Sequence, residues 1–146
     1  MNRLSVKQRM IRSIALRKGE VIMRGDFQSL GSQSQIGRAL KALVAEGRIV
    51  RLGYGVYAKA RPSSLSGKPV PRACLAELAQ EALIKMGVDP KLGSAQAAYA
   101  EGRSPDVPAH TCFNTGKRRI SRKITVGRTV VRYENDFSEK RRNVRR

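Results

Sequence analysis

The side chains best suited to recognising a ligand lie in the stretch SQSQIGRALK, residues 32–41. Hydroxyl and amide groups alternate at its start, and two cations follow within the next two helical turns. This combination can hydrogen-bond to the edges of adenine and guanine and to phosphates. The apolar residues between them recur with a helical period, which leaves the polar side chains on the outer face. The candidate recognition residues are Ser32, Gln33, Ser34, Gln35, Arg38 and Lys41.

Cations and a tyrosine also occur in the two short apolar runs that follow. Residues 48–52 and 56–59, separated by Gly53-Tyr54-Gly55, are typical of a β-hairpin. Beside a helix that reads a groove, such a hairpin would contact phosphates, which fix the register and supply salt-dependent affinity. The candidate phosphate contacts here are Arg48, Arg51, Tyr54 and Lys59.

Nucleophilic or metal chemistry is the competing interpretation of the polar residues. His110, the only histidine, lies two residues before Cys112, and Asp106 is the nearest carboxylate that could orient it. A lone histidine beside a proline-containing turn is far more often structural than catalytic. The pair Gly53-x-Gly55 lacks the third glycine and the following helix of a nucleotide-binding loop. The sequence therefore favours a protein that is not an enzyme and that uses no cofactor and no metal.

The composition indicates a polyanionic partner. The 146 residues carry 30 Lys and Arg against 11 Asp and Glu, a formal net charge of +19. A charge of this size opposes compaction by self-repulsion unless a polyanion such as nucleic acid screens it. An acidic membrane surface is the main competitor, but no apolar run approaches the roughly 18 residues of a spanning helix. We expect a cytoplasmic, nucleoid-associated protein without a membrane partner, with both cysteines as free thiols.

The positive charge falls into two separate segments. Residues 1–61 carry a net charge of +10, residues 62–116 a net charge of zero, and residues 117–146 a net charge of +9. From residue 110 onward there are strand-like runs at 111–113, 119–126 and 128–133, which predict a small antiparallel hairpin or meander that includes part of the second basic segment. The cations of the second basic segment either add phosphate contacts to a DNA site, bind RNA, or keep a solvated sheet edge from pairing with another strand. The candidate accessory phosphate contacts are Lys117, Arg118, Arg119, Arg122, Lys123 and Arg128.

A regular series of elements must position these side chains. The periodicity predicts a helix over 4–17, a short strand over 20–23, a short helix over 26–30 and a helix that Ser32 and Gln35 begin as a capping box. With the hairpin after it, this order is that of a winged helix-turn-helix. We predict an α+β chain. It comprises a winged helix-turn-helix domain at 1–60, a Pro- and Ser-rich linker at 61–72, a small helical and β-hairpin module at 73–137 and a basic disordered tail at 138–146.

Residues 26–60, DFQSLGSQSQIGRALKALVAEGRIVRLGYGVYAKA, resemble the N-terminal winged helix of AbiEi-type antitoxin and transcriptional regulator proteins. The matching features are Asp26-Phe27, Gly31-Ser32, Arg38-Ala39-Leu40 and Gly55-Val56-Tyr57. The resemblance covers roughly residues 4–60, whereas residues 73–137 resemble the downstream module of related small regulators only loosely. The large C-terminal antitoxin domain of that family is not present in this chain. What the resemblance implies is therefore DNA binding rather than antitoxin activity.

The resemblance also implies a biological setting. It points to a bacterial or mobile-element regulator that binds inverted repeats upstream of its own operon and is often encoded beside a nucleotidyltransferase toxin. On this basis the DNA contacts fall on Ser32 to Ser34, Arg38, Lys41 and the arginines of the hairpin. A cognate toxin or a second regulator would then be a protein partner. A homodimer is expected because operators are longer than the site that one helix reads.

The sequence thus predicts a sequence-specific transcriptional regulator that binds double-stranded DNA, an autorepressor of the toxin–antitoxin or mobile-element type. The alternative is an RNA- or ribosome-binding basic protein. Tyr54 and Tyr57 could stack on bases in that case, but sequence-specific readers of single strands usually display more aromatic residues than this chain, of which 5% are aromatic.

Overall fold

The computed structural model describes residues 3–136 and has the α+β composition that the sequence predicted. The predicted tail at 138–146 and the end of the predicted second module at 137 lie outside the described residues. The chain divides into two compact units, Met1–Cys74 and Leu75–Arg146. Within residues 3–136, no helix is both long enough and apolar enough to cross a membrane.

Two helices of the first unit begin where the sequence places polar caps. Helix α1, Val6–Leu16, starts at Ser5, and helix α2, Gln33–Ala45, starts at Ser32. Each serine accepts a hydrogen bond from the backbone N–H three residues on, and the glutamine there bonds back to the serine N–H. Both capping boxes satisfy amides that the first helical turn would otherwise leave unpaired. Between the two helices lies a 3₁₀ helix, Arg24–Leu30.

An antiparallel sheet completes the first unit. Its strands are β1, Val21–Met23; β2, Ile49–Gly53; β3, Val56–Pro62; and β4, Pro69–Pro71. Strand β3 lies between β1 and β2, and β4 pairs with the last residues of β3. The turn between β2 and β3 contains Gly55 at φ +68°, a conformation that favours glycine over residues with a Cβ. The predicted hairpin is confirmed.

The core of the first unit lies between the helices and this sheet. The predicted apolar face of α2 is confirmed, since Ile36, Ala39, Leu40 and Leu43 are buried and Val44 is half-buried. These side chains pack with Met10, Ile22, Phe27 and Ile49 from α1, β1, the 3₁₀ helix and β2. The helix is thereby held by its apolar face, and its polar face is left outward.

The predicted linker at 61–72 is wrong. Instead, β3 continues to Pro62, and the chain returns in β4, with Ala60 opposite Pro71 and Pro62 opposite Pro69. The connecting turn is closed by the N–H of Ser63, which donates to the carbonyl oxygen of Lys68 at 2.8 Å. Prolines are tolerated here because β4 is an edge strand, where a missing N–H need not face a partner. The boundary between the two units falls after Cys74.

In its described part, residues 75–136, the second unit contains two helices and five short strands. Helix α3 is Leu75–Lys85 and helix α4 is Ser94–Ala100, within the helical and β-hairpin module predicted at 73–137. The strands are β5, Lys91–Leu92; β6, Cys112–Asn114; β7, Thr125–Val126; β8, Thr129–Val130; and β9, Arg132–Glu134. Strands β5, β6 and β9 form one sheet, and β7 and β8 form a separate hairpin.

After residue 110 the predicted small antiparallel hairpin is present as β7 and β8, but the described residues do not form an antiparallel meander. Strands β6 and β9 pair in parallel, and of the predicted strand at 119–126 only Thr125–Val126 pairs. Side chains instead satisfy the backbone there: the Thr115 hydroxyl donates to the carbonyl oxygen of Arg118 at 2.6 Å, and the Tyr133 hydroxyl to that of Arg122 at 2.8 Å. Such bonds compete with a strand ladder, so this stretch forms an irregular crossover.

Candidate nucleic-acid interface

The start of α2 presents the polar side chains that the sequence singled out. Ser32, Gln33, Ser34, Gln35, Arg38 and Lys41 are all exposed. Ser32 and Gln35, however, are engaged with one another: Ser32 Oγ accepts from the N–H of Gln35 at 3.2 Å, and Gln35 Oε1 accepts from the N–H of Ser32 at 2.9 Å. These two residues form the helix cap, and the outward side chains that remain belong to Gln33, Ser34, Arg38 and Lys41.

Arg24 joins the start of α2 to the β2–β3 turn. Its Nη2 donates to the carbonyl oxygen of Gln33 at 2.9 Å, and its Nε donates to Gln33 Oε1 at 3.3 Å. Its backbone N–H donates to the carbonyl oxygen of Gly55 at 3.0 Å. One residue therefore contacts both the first turn of the helix and the tip of the hairpin, and it holds the two side by side.

Gly37 provides the space that Arg24 occupies. A Cβ at this position would lie 3.2 Å from Arg24 Nη2 and 3.6 Å from Arg24 Nη1. A glycine inside a helix costs about 1 kcal/mol against alanine, a cost that the close approach of another group would explain. The group that approaches is the Arg24 guanidinium. Sequence reasoning missed Arg24, and the unexplained glycine was the one signal that pointed to a close neighbour.

The β2–β3 turn carries two of the four predicted hairpin contacts. Tyr54 is 76% exposed at its tip. Arg51 is exposed nearby on β2, and its Nε donates to the carbonyl oxygen of Gly53 at 3.2 Å. Because Gly55 in the same turn accepts the Arg24 N–H, both side chains lie on the part of the hairpin that is tied to the helix start.

The other two predicted hairpin contacts lie at the opposite end of the hairpin. Arg48 precedes β2, and its Nε lies 3.3 Å from Glu46 Oε2. Lys59 pairs with Ile49 across the sheet, and its ammonium donates to the carbonyl oxygen of Arg17 at the end of α1. These two cations have acceptors within the protein, and they lie at the other end of the hairpin from Arg51 and Tyr54.

The ion pair at Glu46 is shared. Lys7 from α1 also contacts this carboxylate, and hydrogen bonding from Lys7, with help from Arg48, holds the pKa of Glu46 below its usual value. The pair is exposed, so its effect on stability is screened by solvent. Its position after α2 fixes the end of that helix rather than its start.

The accessory cations of the second unit do not form one edge. Arg118 Nη1 donates to the carbonyl oxygens of Met86 and Gly87, at 3.2 and 3.0 Å, and so caps the end of α3. Arg122 is half-buried. The remaining predicted contacts, Lys117, Arg119, Lys123 and Arg128, are exposed on the crossover and on the β7–β8 turn.

Cys112 of the second unit lacks the surroundings of an activated thiolate. Burial, together with the neighbouring Glu134 carboxylate, raises the pKa of Cys112 to about 11, the opposite of an activated thiolate. The His110 side chain is exposed, while its backbone carbonyl accepts a hydrogen bond from Gln96 Nε2. Residues 3–136 contain no group of three His, Cys, Asp or Glu side chains that could hold a metal ion.

Comparison with known families covers nearly the whole chain. Residues 8–143 match a family described as a family of unknown function, DUF6088. The chain belongs to this family. The DUF6088 match covers most of both compact units and the complete α2 and β2–β3 region that forms the candidate interface. No curated protein matches this DUF6088 chain.

Proposed function

We propose that this protein is a sequence-specific transcriptional regulator that binds double-stranded DNA through α2 and the β2–β3 turn. The order of α1, β1, the 3₁₀ helix, α2 and the hairpin is the order of a winged helix-turn-helix. In that fold the second long helix enters the major groove, and its first turns read base edges. Here those turns carry Gln33, Ser34 and Arg38.

The observation that carries the proposal is the bridge made by Arg24. It bonds to Gln33 on the helix and to Gly55 in the hairpin turn, so a base-reading surface and a phosphate-contacting surface are adjacent. A groove-reading helix needs such neighbouring phosphate contacts, because they set its depth and register. Arg51 and Tyr54 supply them on one side, and Lys41 supplies a further cation on the helix.

The charge of the chain supports the same partner. A net charge of +19 favours a polyanion, and the exposed cations of the second unit offer further phosphate contacts. The resemblance of residues 26–60 to AbiEi-type regulators suggests an autorepressor of the toxin–antitoxin or mobile-element type in the bacterial nucleoid. On this proposal the protein acts as a homodimer on an inverted repeat, and a cognate toxin or a second regulator is its protein partner.

The assignment of roles to α2 and to the hairpin is tested by removing one arginine from each. We expect Arg38→Ala to weaken binding to a selected operator by about 10- to 100-fold, or about 1–3 kcal/mol for a lost bidentate base contact, and to leave random duplex almost unaffected. Arg51→Ala should weaken both duplexes alike and lower the salt dependence by about one phosphate contact.

The matched control is Arg61→Ala. Arg61 is an exposed arginine at the other end of β3, so this variant removes the same charge away from the proposed interface. It should change the affinity for either duplex by less than about twofold. Equal losses on operator and random duplex for Arg38→Ala would contradict the recognition role of α2.

A further inference from the structure

A cavity of about 480 Å³ lies in the first unit at the open end of the β2–β3 hairpin. Its volume is within the range of about 300–1,000 Å³ that is usual for small-molecule sites. It is lined by α1, α2 and both strands of the hairpin, and by Arg72 just after β4. The DNA-binding proposal makes no use of this cavity, which lies at the opposite end of the hairpin from the turn.

One part of the lining is apolar. Leu43 from α2 and Ile49 from β2 are fully buried beneath it, and Ile11 and Ile14 from α1 are half-buried at its side. Ile11 and Ile14 therefore offer apolar surface that an alkyl chain or an aromatic ring could cover, with a gain of about 25 cal/mol for each Å² of apolar area removed from water. Ala15 lies exposed at the mouth and leaves it open.

The other part of the lining is cationic. Arg48, Lys59 and Arg72 all border the cavity. Glu46 is the partner of both Arg48 and Lys7, so one carboxylate serves two cations. Arg72 Nη2 lies 3.2 Å from Glu20 Oε1, while Lys59 donates to a neutral carbonyl oxygen, a bond that leaves its charge uncompensated. Positive charge is therefore in excess on one side of an apolar surface.

We propose that this cavity binds a small amphipathic anion, with an apolar body on the aliphatic surface and a carboxylate or sulfonate group beside Lys59 and Arg48. An uncharged apolar molecule would leave the cations without a counter-charge, and a simple inorganic anion would leave the aliphatic surface exposed to water. Charge-assisted hydrogen bonds from arginine or lysine to a carboxylate are roughly twice as strong as neutral ones, which favours a ligand that is both apolar and anionic.

The cavity is lined by two elements that also form the proposed DNA interface. Leu43 is on α2, the proposed recognition helix, and Ile49 is on β2, the strand that leads to the turn. An occupant would contact both elements at the ends away from DNA. Control of DNA binding by this ligand rests on the proposed function, whereas the binding of the ligand itself does not.

The site is tested by titrating the full chain with decanoate in a calorimeter, without DNA. Decanol and decyltrimethylammonium, of the same chain length, serve as the neutral and cationic comparisons. We expect one decanoate to bind per chain, at least 10-fold more tightly than decanol, and decyltrimethylammonium not to bind. Several weak decanoate sites per chain would mean that the net charge alone attracts the anion, and this result would overturn the proposal.

Two variants locate the binding. Ala15→Phe fills the mouth from an exposed helical position and should weaken decanoate at least 10-fold without altering the melting temperature by more than a few degrees. Lys59→Met should weaken it by a similar factor. The matched control is Lys68→Met, an exposed lysine that does not line the cavity, with an expected change below twofold. Decanoate binding that survives Ala15→Phe would overturn the proposal.

A protein segment could occupy the cavity instead of a small anion, and the same calorimetric assay distinguishes the two. An acidic amphipathic peptide that binds with 1:1 stoichiometry, is blocked by Ala15→Phe and is not displaced by decanoate would overturn the small-anion assignment. Loss of DNA binding in a protein that still takes up one decanoate would reject the proposed function alone. Intact DNA binding in a protein that takes up no decanoate would reject the cavity alone.

Discussion

The two ends of the β2–β3 hairpin carry the same kinds of side chain and use them differently. At the turn, Arg51 and Tyr54 are exposed and lie next to the start of α2. At the open end, Arg48 is paired with Glu46, and Lys59 is bonded to the end of α1. The comparison teaches that cations close together in sequence divide between those with acceptors inside the protein and those left exposed for the proposed contact with DNA.

Arg24 belongs to the turn end, and its loss should have the largest effect on DNA binding. Arg24→Met removes two hydrogen bonds to Gln33 and a charge between the helix and the turn. We expect operator affinity to fall by about 30- to 100-fold, equivalent to about 2–3 kcal/mol, the range for hydrogen bonds from a charged group. Fluorescence anisotropy with operator duplex measures this loss, and circular dichroism should report an intact fold. If Arg24→Met kept full operator affinity, Arg24 would not be part of the DNA interface.

Gly37→Ala tests the same bridge without removing a charge. The new methyl group would lie 3.2 Å from Arg24 Nη2 and displace the guanidinium, while alanine improves the helix by about 1 kcal/mol. We therefore expect a melting temperature that is unchanged or higher, together with a 5- to 10-fold loss of operator affinity in the same anisotropy assay. A loss of stability without a loss of affinity would show that Gly37 serves only packing.

Lys59→Met tests the open end. The change removes the hydrogen bond to the carbonyl oxygen of Arg17, and we expect unfolding to become easier by about 1 kcal/mol, the usual value for one intramolecular bond. Operator affinity should fall by less than about threefold. Urea denaturation and anisotropy on the same preparation measure both quantities. A large, salt-dependent loss of operator affinity with unchanged stability would show that Lys59 contacts DNA.

Glu46→Gln should have the smallest effect. Interaction with Lys7 and Arg48 lowers the pKa of Glu46 in the folded protein below its usual value of 4.5. A lowered folded pKa contributes stability that is present above pH 4.5 and is lost as the pH falls through the folded value. The variant should therefore melt slightly lower than the parent near pH 6, with the difference shrinking as the pH falls below 4.5 and through the folded pKa of Glu46. A difference that grows as the pH falls would contradict the assignment.

How much could be predicted from sequence differed between the two units for a physical reason. In the first unit α2 is specified by residues within one short stretch: a capping serine, a glutamine three positions on and an apolar face with a helical period. The β2–β3 hairpin is likewise set by glycines in its own turn. Signals of this kind need no knowledge of distant parts of the chain.

The features that escaped prediction depend on contacts between distant residues. Arg24 meets Gln33 across the 3₁₀ helix, nine positions on, and Lys59 meets Arg17 across 42 positions. In the second unit, β6 pairs in parallel with β9 through a crossover whose carbonyl groups are satisfied by the Thr115 and Tyr133 hydroxyls. A run of alternating residues carries no sign that side chains will replace its strand partners. The prolines at 62, 69 and 71 suggested a linker because they disfavour strands in general, although an edge strand accepts them.

The central claim is that the protein reads a DNA sequence with α2 and the β2–β3 turn, and its most direct test compares three nucleic acids. The full chain is titrated by fluorescence anisotropy with duplex DNA from upstream of its own gene, a scrambled duplex of equal length and a structured RNA, at about 50 mM and about 200 mM salt. We predict a preference for the upstream duplex that persists at the higher salt. Equal, steeply salt-dependent binding to all three would contradict the claim, because the net charge alone would then account for the affinity.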